Sequence, residues 1–308
     1  MRRLLYCCLL FILAMVTANA ANMAQAATLT DAAGRLIEVE KPFTRIISLY
    51  AAHTENLFRL GLDREIVGVS RSEDYPPAAL GKEVFDYRGD PEKFLAARPD
   101  LVLIRPMIER SKPGLVAKLI AAGITVVSLQ PVDIDETFAY WRDLGVLTGR
   151  EATAEAMVGE FEAEIVKVVA KVAKIPPSAR KRVYFESIHR KMKTFAPTSM
   201  AVYALTTAGG INVADDARQV RATNIAAYGK EHILAKAADI DVFLAQKGAM
   251  NRIDRDAIVN EPGFAAIKAV REGQIHLIDE HLVSRPTMRL IKGIREIGGI
   301  LYPQVFGK

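Results

Sequence analysis

The sequence has 308 residues and a formal net charge of +5, from 41 Lys and Arg against 36 Asp and Glu. This mild charge, without a basic run interleaved with aromatic residues, argues against a nucleic-acid-binding surface. The two cysteines, Cys7 and Cys8, fall in the first apolar run, so the rest of the chain cannot form disulfides, a cysteine nucleophile or a thiolate metal site. The length suits one large domain or two lobes.

The first 26 residues have the pattern of a secretory signal peptide. Arg2 and Arg3 form a basic start, and the apolar run over residues 4–16 is too short to span a membrane. Two small-residue cleavage patterns follow. A lipid anchor on Cys7 is disfavoured because no small residue directly precedes it. We therefore expect residues 1–26 to be removed and the mature chain to act in the periplasm.

Residues 27–150 are predicted to form an N-terminal lobe. An alternating segment around Gly34 predicts a hairpin over residues 28–39. Short apolar runs then alternate with helical patterns, two of which end at Gly61 and Gly123. This order predicts a parallel sheet covered by helices. The predicted strands are residues 45–49, 66–69, 101–104 and 124–129, and the predicted helices are 54–60, 91–97, 113–122 and 134–148.

Residues 151–175 are predicted to form one long helix that connects two lobes. Apolar residues recur every three or four positions from Ala154 to Val172, which indicates one buried stripe. Acidic residues crowd the first half and lysines the second half, an order that complements the helix dipole. Pro176 and Pro177 then end the helix. A surface helix of one large domain is the alternative interpretation.

Residues 176–308 restart the pattern and are predicted to form a C-terminal lobe. The predicted fold class is α/β, with two Rossmann-like lobes whose sheets are rich in parallel strands, joined by one long α-helix. In this lobe the predicted strands are residues 182–186, 240–245 and 275–278, and the predicted helices are 200–208, 230–237 and 287–301.

One helix-to-strand segment occurs in both halves of the chain. Residues 92–102 and 231–241 carry Glu, Leu, Ala and Asp at the same offsets. The first residues of the two segments, Glu92 and Glu231, fall in the first turn of a predicted helix, where an acid complements the dipole. That stabilising effect alone explains each glutamate, whereas their paired placement indicates equivalent roles in two lobes.

Several short motifs follow one another in order along the chain. The first motif is residues 45–49 together with Thr54 and Glu55, and the second is residues 67–70 together with 74–77. The others are residues 92–102, residues 208–212, and residues 284–287 together with Tyr302 and Pro303. Each motif is weak singly, but jointly they are specific and cover essentially the whole mature chain. In this order they resemble the periplasmic substrate-binding proteins of ABC importers for iron–siderophore complexes, haem and cobalamin.

The resemblance implies two α/β lobes joined by one long helix. It implies capture of an anionic iron–siderophore or related metal chelate and delivery to the dimeric permease of an ABC importer in the inner membrane. Under it, Glu92 and Glu231 dock onto arginines of the two permease subunits. His53, Arg105 and residues 212–214 depart from the family pattern, which argues against cobalamin and leaves the ligand class open. The alternatives to an iron–siderophore are haem, cobalamin and molybdate or tungstate. We expect a monomer without a cofactor or a resident metal.

Ligands of parallel α/β sheets bind beyond the carboxyl ends of the strands. The residues just past the predicted strand ends are rich in cations and poor in acids. Arginine matches carboxylate or catecholate oxygens with two bonds, which predicts an anionic ligand. The candidate ligand contacts are Tyr50, His53, Arg105, His189, Lys191 and Arg285, and further residues at the same edge are Arg110, Arg190, Gln246, Lys247 and His281.

Each candidate also has a purely structural interpretation: His53 as a hydrogen-bonder in a helix, Tyr50 as core, Arg285 as the partner of a carboxylate. No histidine pair has the HExxH spacing of a zinc site. His53 could instead meet His189 or His281 across a cleft to bind haem iron. No P-loop and no G-x-S-x-G motif occurs, so no enzyme activity is expected. An exported hydrolase and a binding module for a membrane sensor are the competing functions.

Overall fold

The structure, a computed structural model, describes residues 27–220 and 223–307. The predicted signal peptide lies outside these residues. Within them, no helix combines the length and the apolar character that crossing a membrane requires. The described chain forms two α/β lobes and one long helix between them, which confirms the predicted fold class.

The N-terminal lobe contains six strands and five helices. The strands are β1 (Ala27–Thr30), β2 (Leu36–Val39), β3 (Ile46–Ser48), β4 (Ile66–Val69), β5 (Leu101–Ile104) and β6 (Thr125–Ser128). The helices are α1 (Ala51–Arg59), α2 (Pro91–Ala97), α3 (Pro106–Ser111), α4 (Pro113–Ala121) and α5 (Ile134–Thr148). Strands β1 and β2 form the predicted antiparallel hairpin. The other four form a parallel sheet in the order β4-β3-β5-β6, whose central strands are apolar because helices cover both faces.

Helix α6 (Glu151–Val172) has 22 residues and confirms the long helix predicted from the periodic apolar stripe. The stripe is buried: Phe161 is fully buried and its ring meets that of Trp141 edge to face, with centroids 5.6 Å apart. At the other end of the helix, Val172 packs beside Gly209 of the C-terminal lobe. The helix therefore contacts both lobes.

The C-terminal lobe contains seven strands and seven helices within the residues described. The strands are β7 (Arg182–Ile188), β8 (Lys193–Phe195), β9 (Ile211–Asn212), β10 (Arg218–Gln219), β11 (Ile225–Ala227), β12 (Val242–Lys247) and β13 (Ile275–Asp279). The helices are α7 (Met200–Thr207), α8 (Lys230–Ala235), α9 (Arg255–Val259), α10 (Lys268–Arg271), α11 (Glu280–Val283), α12 (Leu290–Leu301) and α13 (Pro303–Phe306). The sheet order is β10-β11-β8-β7-β12-β13, with β9 beside β7. Strands β7, β12 and β13 are parallel as predicted, whereas β8, β10 and β11 pair antiparallel and were not predicted.

The lobes share one hydrophobic core. A single cluster of buried apolar residues runs from the N-terminal sheet along α6 into the C-terminal lobe. Trp141 is fully buried and its indole Nε1 donates to the carbonyl of Pro286, in the other lobe, at 3.0 Å. The side chain of Asn56 donates to the same carbonyl at 2.9 Å. Because bending about α6 would disturb this core, we predict that the lobes close only slightly on a ligand.

Candidate functional site

A cavity of about 480 Å³ lies between the lobes. Its N-terminal wall comes from residues that follow β3 and β5, and its C-terminal wall from residues that follow β12 and β13. This is the edge of the sheets at which the topology predicts a ligand. We call this cavity the interlobe cleft. Its charged and phenolic side chains are Tyr50, Arg105, Arg110, Glu280, His281 and Arg285.

Arg105 brings to the interlobe cleft a cation that no carboxylate of the described residues neutralises. It follows directly on β5, and its guanidinium carbon lies 4.4 Å from the centroid of the Tyr50 ring. Its Nε is buried and has no hydrogen-bond partner in the part of the chain described. A buried polar group without a partner costs free energy, which an anionic group of a ligand would recover.

Tyr50 supports this arginine and keeps its own proton. Burial raises the pKa of the Tyr50 phenol, although the charges of Arg105 and Arg285 oppose the rise. The phenol is therefore neutral at physiological pH and is able to donate a hydrogen bond. Tyr50 and Arg105 follow the ends of the neighbouring strands β3 and β5 and give this wall one neutral donor and one cation.

A recess of about 240 Å³ adjoins the interlobe cleft on the side of the N-terminal lobe. It brings two more arginines to this wall. Arg88 stacks on the ring of Tyr87, 4.8 Å from its centroid, while Arg71 pairs with Asp86 at 3.3 Å. The recess and the cleft share the side chains of Tyr50, Ser72, Arg105 and Met107. The N-terminal wall therefore carries more positive than negative charge.

Arg285 also lines the interlobe cleft, but it is already paired. It is 9% exposed and forms an ion pair with Asp74 of the other lobe. Next to it, Arg289 binds both oxygens of Glu55 at 2.9 and 2.6 Å and lies 3.4 Å from Asp74. We call Glu55, Asp74, Arg285 and Arg289 the interlobe ion-pair network. The expectation that the rim is poor in acids is therefore wrong on this side.

Asp74 is the centre of this network. Burial on its own would raise the pKa of Asp74, but the hydrogen bond and charge of Arg285, with the charges of His281 and Arg289, outweigh it and hold that pKa below its usual value. The His281 Nδ1 lies 3.2 Å from the Asp74 carboxylate. Asp74 is thus ionised at neutral pH, and an anionic ligand has to compete with it for Arg285.

Glu280 is the carboxylate of the C-terminal wall. It is 9% exposed, and its two oxygens accept hydrogen bonds from the backbone nitrogens of Ala249 and Met250, both at 2.9 Å. This carboxylate holds the loop after β12 in place. Arg285, the arginine of this wall, is already paired with Asp74 of the N-terminal lobe, so the excess cation of the interlobe cleft lies on the N-terminal side.

His53 does not reach the interlobe cleft, and its selection as a ligand contact is corrected here. Helix α1 begins at Ala51, three residues before the predicted start, so His53 lies inside the helix and is fully buried. Its Nδ1 lies 2.7 Å from the Tyr140 hydroxyl and its Nε2 3.1 Å from the Ile104 carbonyl. Because a carbonyl only accepts, Nε2 carries the proton and Nδ1 accepts from the tyrosine. This geometry matches the structural interpretation of His53.

The burial of His53 predicts an acid-dependent loss of stability. Burial lowers the pKa of His53 to about 3, and the hydrogen bond to the Ile104 carbonyl opposes this shift only in part. Below the ordinary pKa of about 6.5 the unfolded chain takes up a proton that the folded chain excludes, so stability falls as the pH drops from there towards 3. We expect this histidine to account for about 1.4 kcal/mol of unfolding free energy per pH unit in that window.

Urea unfolding of the wild type and of His53→Gln between pH 7 and pH 5 tests this expectation. The glutamine variant should be less stable at pH 7 but should show a shallower decline towards acid. Equal slopes for the two proteins would show that another group takes up the proton.

His189 and Lys191 also lie away from the interlobe cleft. The His189 Nδ1 lies 2.9 Å from the buried Glu186, and its Nε2 lies 3.4 Å from Glu261. The hydrogen bond to Glu186 raises the pKa of His189 despite burial. Lys191 is exposed and lines a different cavity of the C-terminal lobe. The reason for both corrections is that the chain turns after β7 into the unpredicted strand β8, which carries these side chains away from the cleft.

Of the further residues at the strand ends, Arg110 and His281 line the interlobe cleft, whereas Arg190 and Lys247 do not. Gln246 is fully buried and donates to the Ser187 carbonyl at 2.9 Å. Sequence reasoning missed several lining residues. The strand-end rule would have found three of them, since Ser72 follows β4, Met250 follows β12 and Glu280 directly follows β13, whereas no charge marks Met107 or Asn224.

Across the described residues, no group of three or more His, Cys, Asp or Glu side chains has an arrangement that could hold a metal ion. The alternative in which His53 meets another histidine to bind haem iron is therefore wrong, because both ring nitrogens of His53 are engaged inside the N-terminal lobe.

Glu92 and Glu231 occupy matching places in the two lobes. Each lies in the first turn of the helix that leads into a parallel strand: α2 before β5, and α8 before β12. Both helices begin at the carboxyl-end edge of their sheets because they run antiparallel to the strands that follow. Both glutamates are exposed; Glu92 pairs with Lys118 at 2.6 Å, and Glu231 has no ion-pair partner in the described chain.

Comparisons with known proteins agree with this architecture. A family model described as periplasmic binding protein matches residues 46–282. An uncharacterised ABC transporter substrate-binding lipoprotein of Bacillus subtilis is 26% identical over 287 residues, covering 91% of this chain and 86% of the relative. A vitamin B12-binding protein of Vibrio cholerae is 24% identical over 261 residues, covering 83% of this chain and 89% of the relative.

Among solved structures, this chain is similar to a possible iron-binding, periplasmic solute-binding protein from Staphylococcus epidermidis. The TM-score is 0.74 and the sequence identity 28%, over 85% of this chain and all (100%) of the other. Because 85% of the chain is more than either lobe together with the connecting helix, the similarity extends into both lobes and the overall fold is common to the two proteins.

Proposed function

Because this chain belongs to the periplasmic binding protein family, we propose that it is the solute-binding component of an ABC importer. It captures an anionic metal chelate, such as a ferric siderophore, in the interlobe cleft and presents it to a permease in the inner membrane. The protein acts as a monomer, outside the cytoplasm, and releases its ligand unchanged. Tyr50, Arg105 and Arg285 are the proposed ligand contacts.

The observation that carries this proposal is the charge of Arg105. Its guanidinium faces the interlobe cleft without a carboxylate partner, its Nε is buried without a hydrogen bond, and Arg88 lines the adjoining recess. A ligand that brings carboxylate or catecholate oxygens satisfies these donors with charge-assisted bonds. The volume of about 480 Å³ favours an organic chelate over a bare oxyanion, which would leave most of the cleft to water.

Calorimetric titration of the purified protein with a ferric catecholate siderophore, haem, cobalamin and molybdate tests the ligand class. We expect saturable binding of an anionic chelate and at most weak binding of molybdate. The relative from Vibrio cholerae is named for vitamin B12, so exclusive binding of cobalamin is the outcome that would replace this proposal with the second candidate. Formation of a product during the titration would favour the hydrolase interpretation.

We also propose that Glu92 and Glu231 dock the protein on the permease. They are exposed acids at equivalent positions of the two lobes, on the edge where the interlobe cleft opens. Two separated charges orient a molecule on a two-fold symmetric partner better than one charge does, and such rim charges mainly set orientation and association rate. Each exposed pair contributes only about 0.2–1 kcal/mol, so single variants should behave almost like wild type.

The double variant Glu92→Ala/Glu231→Ala should therefore keep its ligand affinity and slow uptake by cells, with weaker binding to the permease in nanodiscs. The matched control is Glu151→Ala/Glu272→Ala, which removes two exposed acids that have no ion-pair partner in the described chain. Uptake at the control's rate, together with a lower melting temperature, would assign both glutamates to helix stability instead.

A further inference from the structure

A second cavity, of about 720 Å³, opens on the surface of the C-terminal lobe, apart from the interlobe cleft. Three cations line it, each from a different segment: Lys191 after β7, Lys193 on β8 and Arg218 on β10. None of the three pairs with a carboxylate in the part of the chain described. We call this cavity the basic pocket.

Tyr228 forms the floor of the basic pocket and is held rigidly. It is 8% exposed, its ring stacks on Tyr184 with centroids 5.9 Å apart, and it meets His232 at 5.4 Å. Its hydroxyl donates to Asp216 at 3.1 Å, and Lys236 binds the same oxygen at 2.7 Å. The acid in the lining is therefore already neutralised, and an aromatic surface lies beneath three free positive charges.

The fold does not need this arrangement. Cations that line one pocket repel each other when the acid beside them is paired elsewhere, as Asp216 is with Lys236, so their convergence costs a little stability. Lys193 is half-buried opposite Ala227, which limits how far it can turn away into water. None of the three lines the interlobe cleft, belongs to the interlobe ion-pair network or forms an ion pair with Glu92 or Glu231. An anion that accepts hydrogen bonds from ammonium and guanidinium groups would remove the repulsion.

We propose that the basic pocket binds a phosphate-bearing anion, either the headgroup of an anionic membrane lipid or a soluble phosphate ester. The phosphate oxygens accept from the lysines and Arg218, and the carbon part of the ligand packs on Tyr228. Gly229 lines the pocket, two residues before Glu231. The location of the pocket near a membrane therefore rests on the proposed function, whereas anion binding itself does not.

Two probes distinguish the sources: glycerol 1-phosphate in a calorimetric titration, and co-sedimentation with vesicles of phosphatidylglycerol and phosphatidylcholine against vesicles of phosphatidylcholine alone. The test variant is Lys191→Gln/Arg218→Gln, and the matched control is Arg64→Gln/Lys174→Gln, which removes the same two charges from exposed sites without ion pairs among the described residues. Whichever of the two probes the wild type binds, we expect the test variant to bind it roughly tenfold more weakly and the control to bind it like wild type.

Binding of glycerol 1-phosphate that depends on Lys191 and Arg218 supports a soluble ester, and binding of anionic vesicles alone supports a lipid headgroup. Absence of binding to both probes, or an equal loss in test and control variants, overturns the proposal. Titration of the chelate into both variants keeps the two proposals separate, because affinity in the interlobe cleft should be unchanged whichever result the basic pocket gives.

Discussion

Replacing Arg105 by alanine is expected to weaken binding of the anionic chelate roughly ten- to hundredfold, because a charge-assisted hydrogen bond contributes about 1.5–3 kcal/mol. Arg105 is the sharpest test because no carboxylate of the described residues competes for it and its Nε is buried without a partner. Arg105→Lys should recover part of the affinity, since it restores the charge but not the two parallel bonds. Calorimetry of the purified proteins gives both values.

Two further variants locate the effect. Arg110→Ala removes an exposed cation at the mouth of the interlobe cleft and should change affinity little, whereas Arg64→Ala removes one far from it and should change nothing. Arg285→Ala is a poorer test because it also frees Asp74. If Arg105→Ala binds the chelate as tightly as Arg64→Ala does, the ligand does not use this wall and the proposed contacts are wrong.

Replacing Glu55 by alanine is expected to lower the free energy of unfolding by about 2–3 kcal/mol. The Glu55 side chain is 5% exposed and that of its partner Arg289 is 19% exposed. Removing the acid therefore leaves a mostly buried guanidinium that has to share Asp74 with Arg285. The control is Glu160→Ala, which breaks an ion pair with Arg59 whose side chains are about half exposed and which should cost less than about 1 kcal/mol. Urea unfolding measures both.

A double-mutant cycle separates this ion pair from other effects of truncation. Glu55→Gln, Arg289→Met and the double variant should show a coupling energy of more than 1 kcal/mol, since the pair makes two bonds between the lobes. A coupling near zero, or equal losses for Glu55→Ala and Glu160→Ala, would show that the network does not tie the lobes together.

The fold was largely predictable because burial imposes periodicity on the sequence. Strand β5 is covered on both faces and is accordingly an uninterrupted apolar run, and α6 buries a single stripe, which appears as apolar residues three and four apart. The short strands β10 and β11 could not be predicted in this way. They have two and three residues, and they form because distant segments pair with them.

The candidate site was predictable only in part. The topological rule selected Tyr50, Arg105 and Arg285, and all three line the interlobe cleft, because the carboxyl ends of parallel strands meet at one edge of the sheet. Their contact with a ligand stays a prediction. The same rule failed for His53, since an earlier start of α1 by three residues turns that side chain inward. It could not find Asp74 as the partner of Arg285 either, because 211 residues separate the two in the chain.

The division of the chain into an N-terminal lobe (27–150), a connecting helix (151–175) and a C-terminal lobe (176–308) stays a prediction. The shared hydrophobic core and the interlobe ion-pair network favour lobes that move little. Spin labels placed on the two lobes should then report nearly equal distances with and without the chelate, and a shift of many ångströms would show a true hinge.

The central claim is that the interlobe cleft binds an anionic metal chelate and releases it unchanged. Native mass spectrometry of the exported protein, before and after addition of a ferric siderophore, tests this claim most directly. The account predicts one chelate per chain, recovered with its original mass, and loss of that adduct in Arg105→Ala. A protein that carries only a neutral ligand, or that returns the siderophore as a cleaved product, would contradict it.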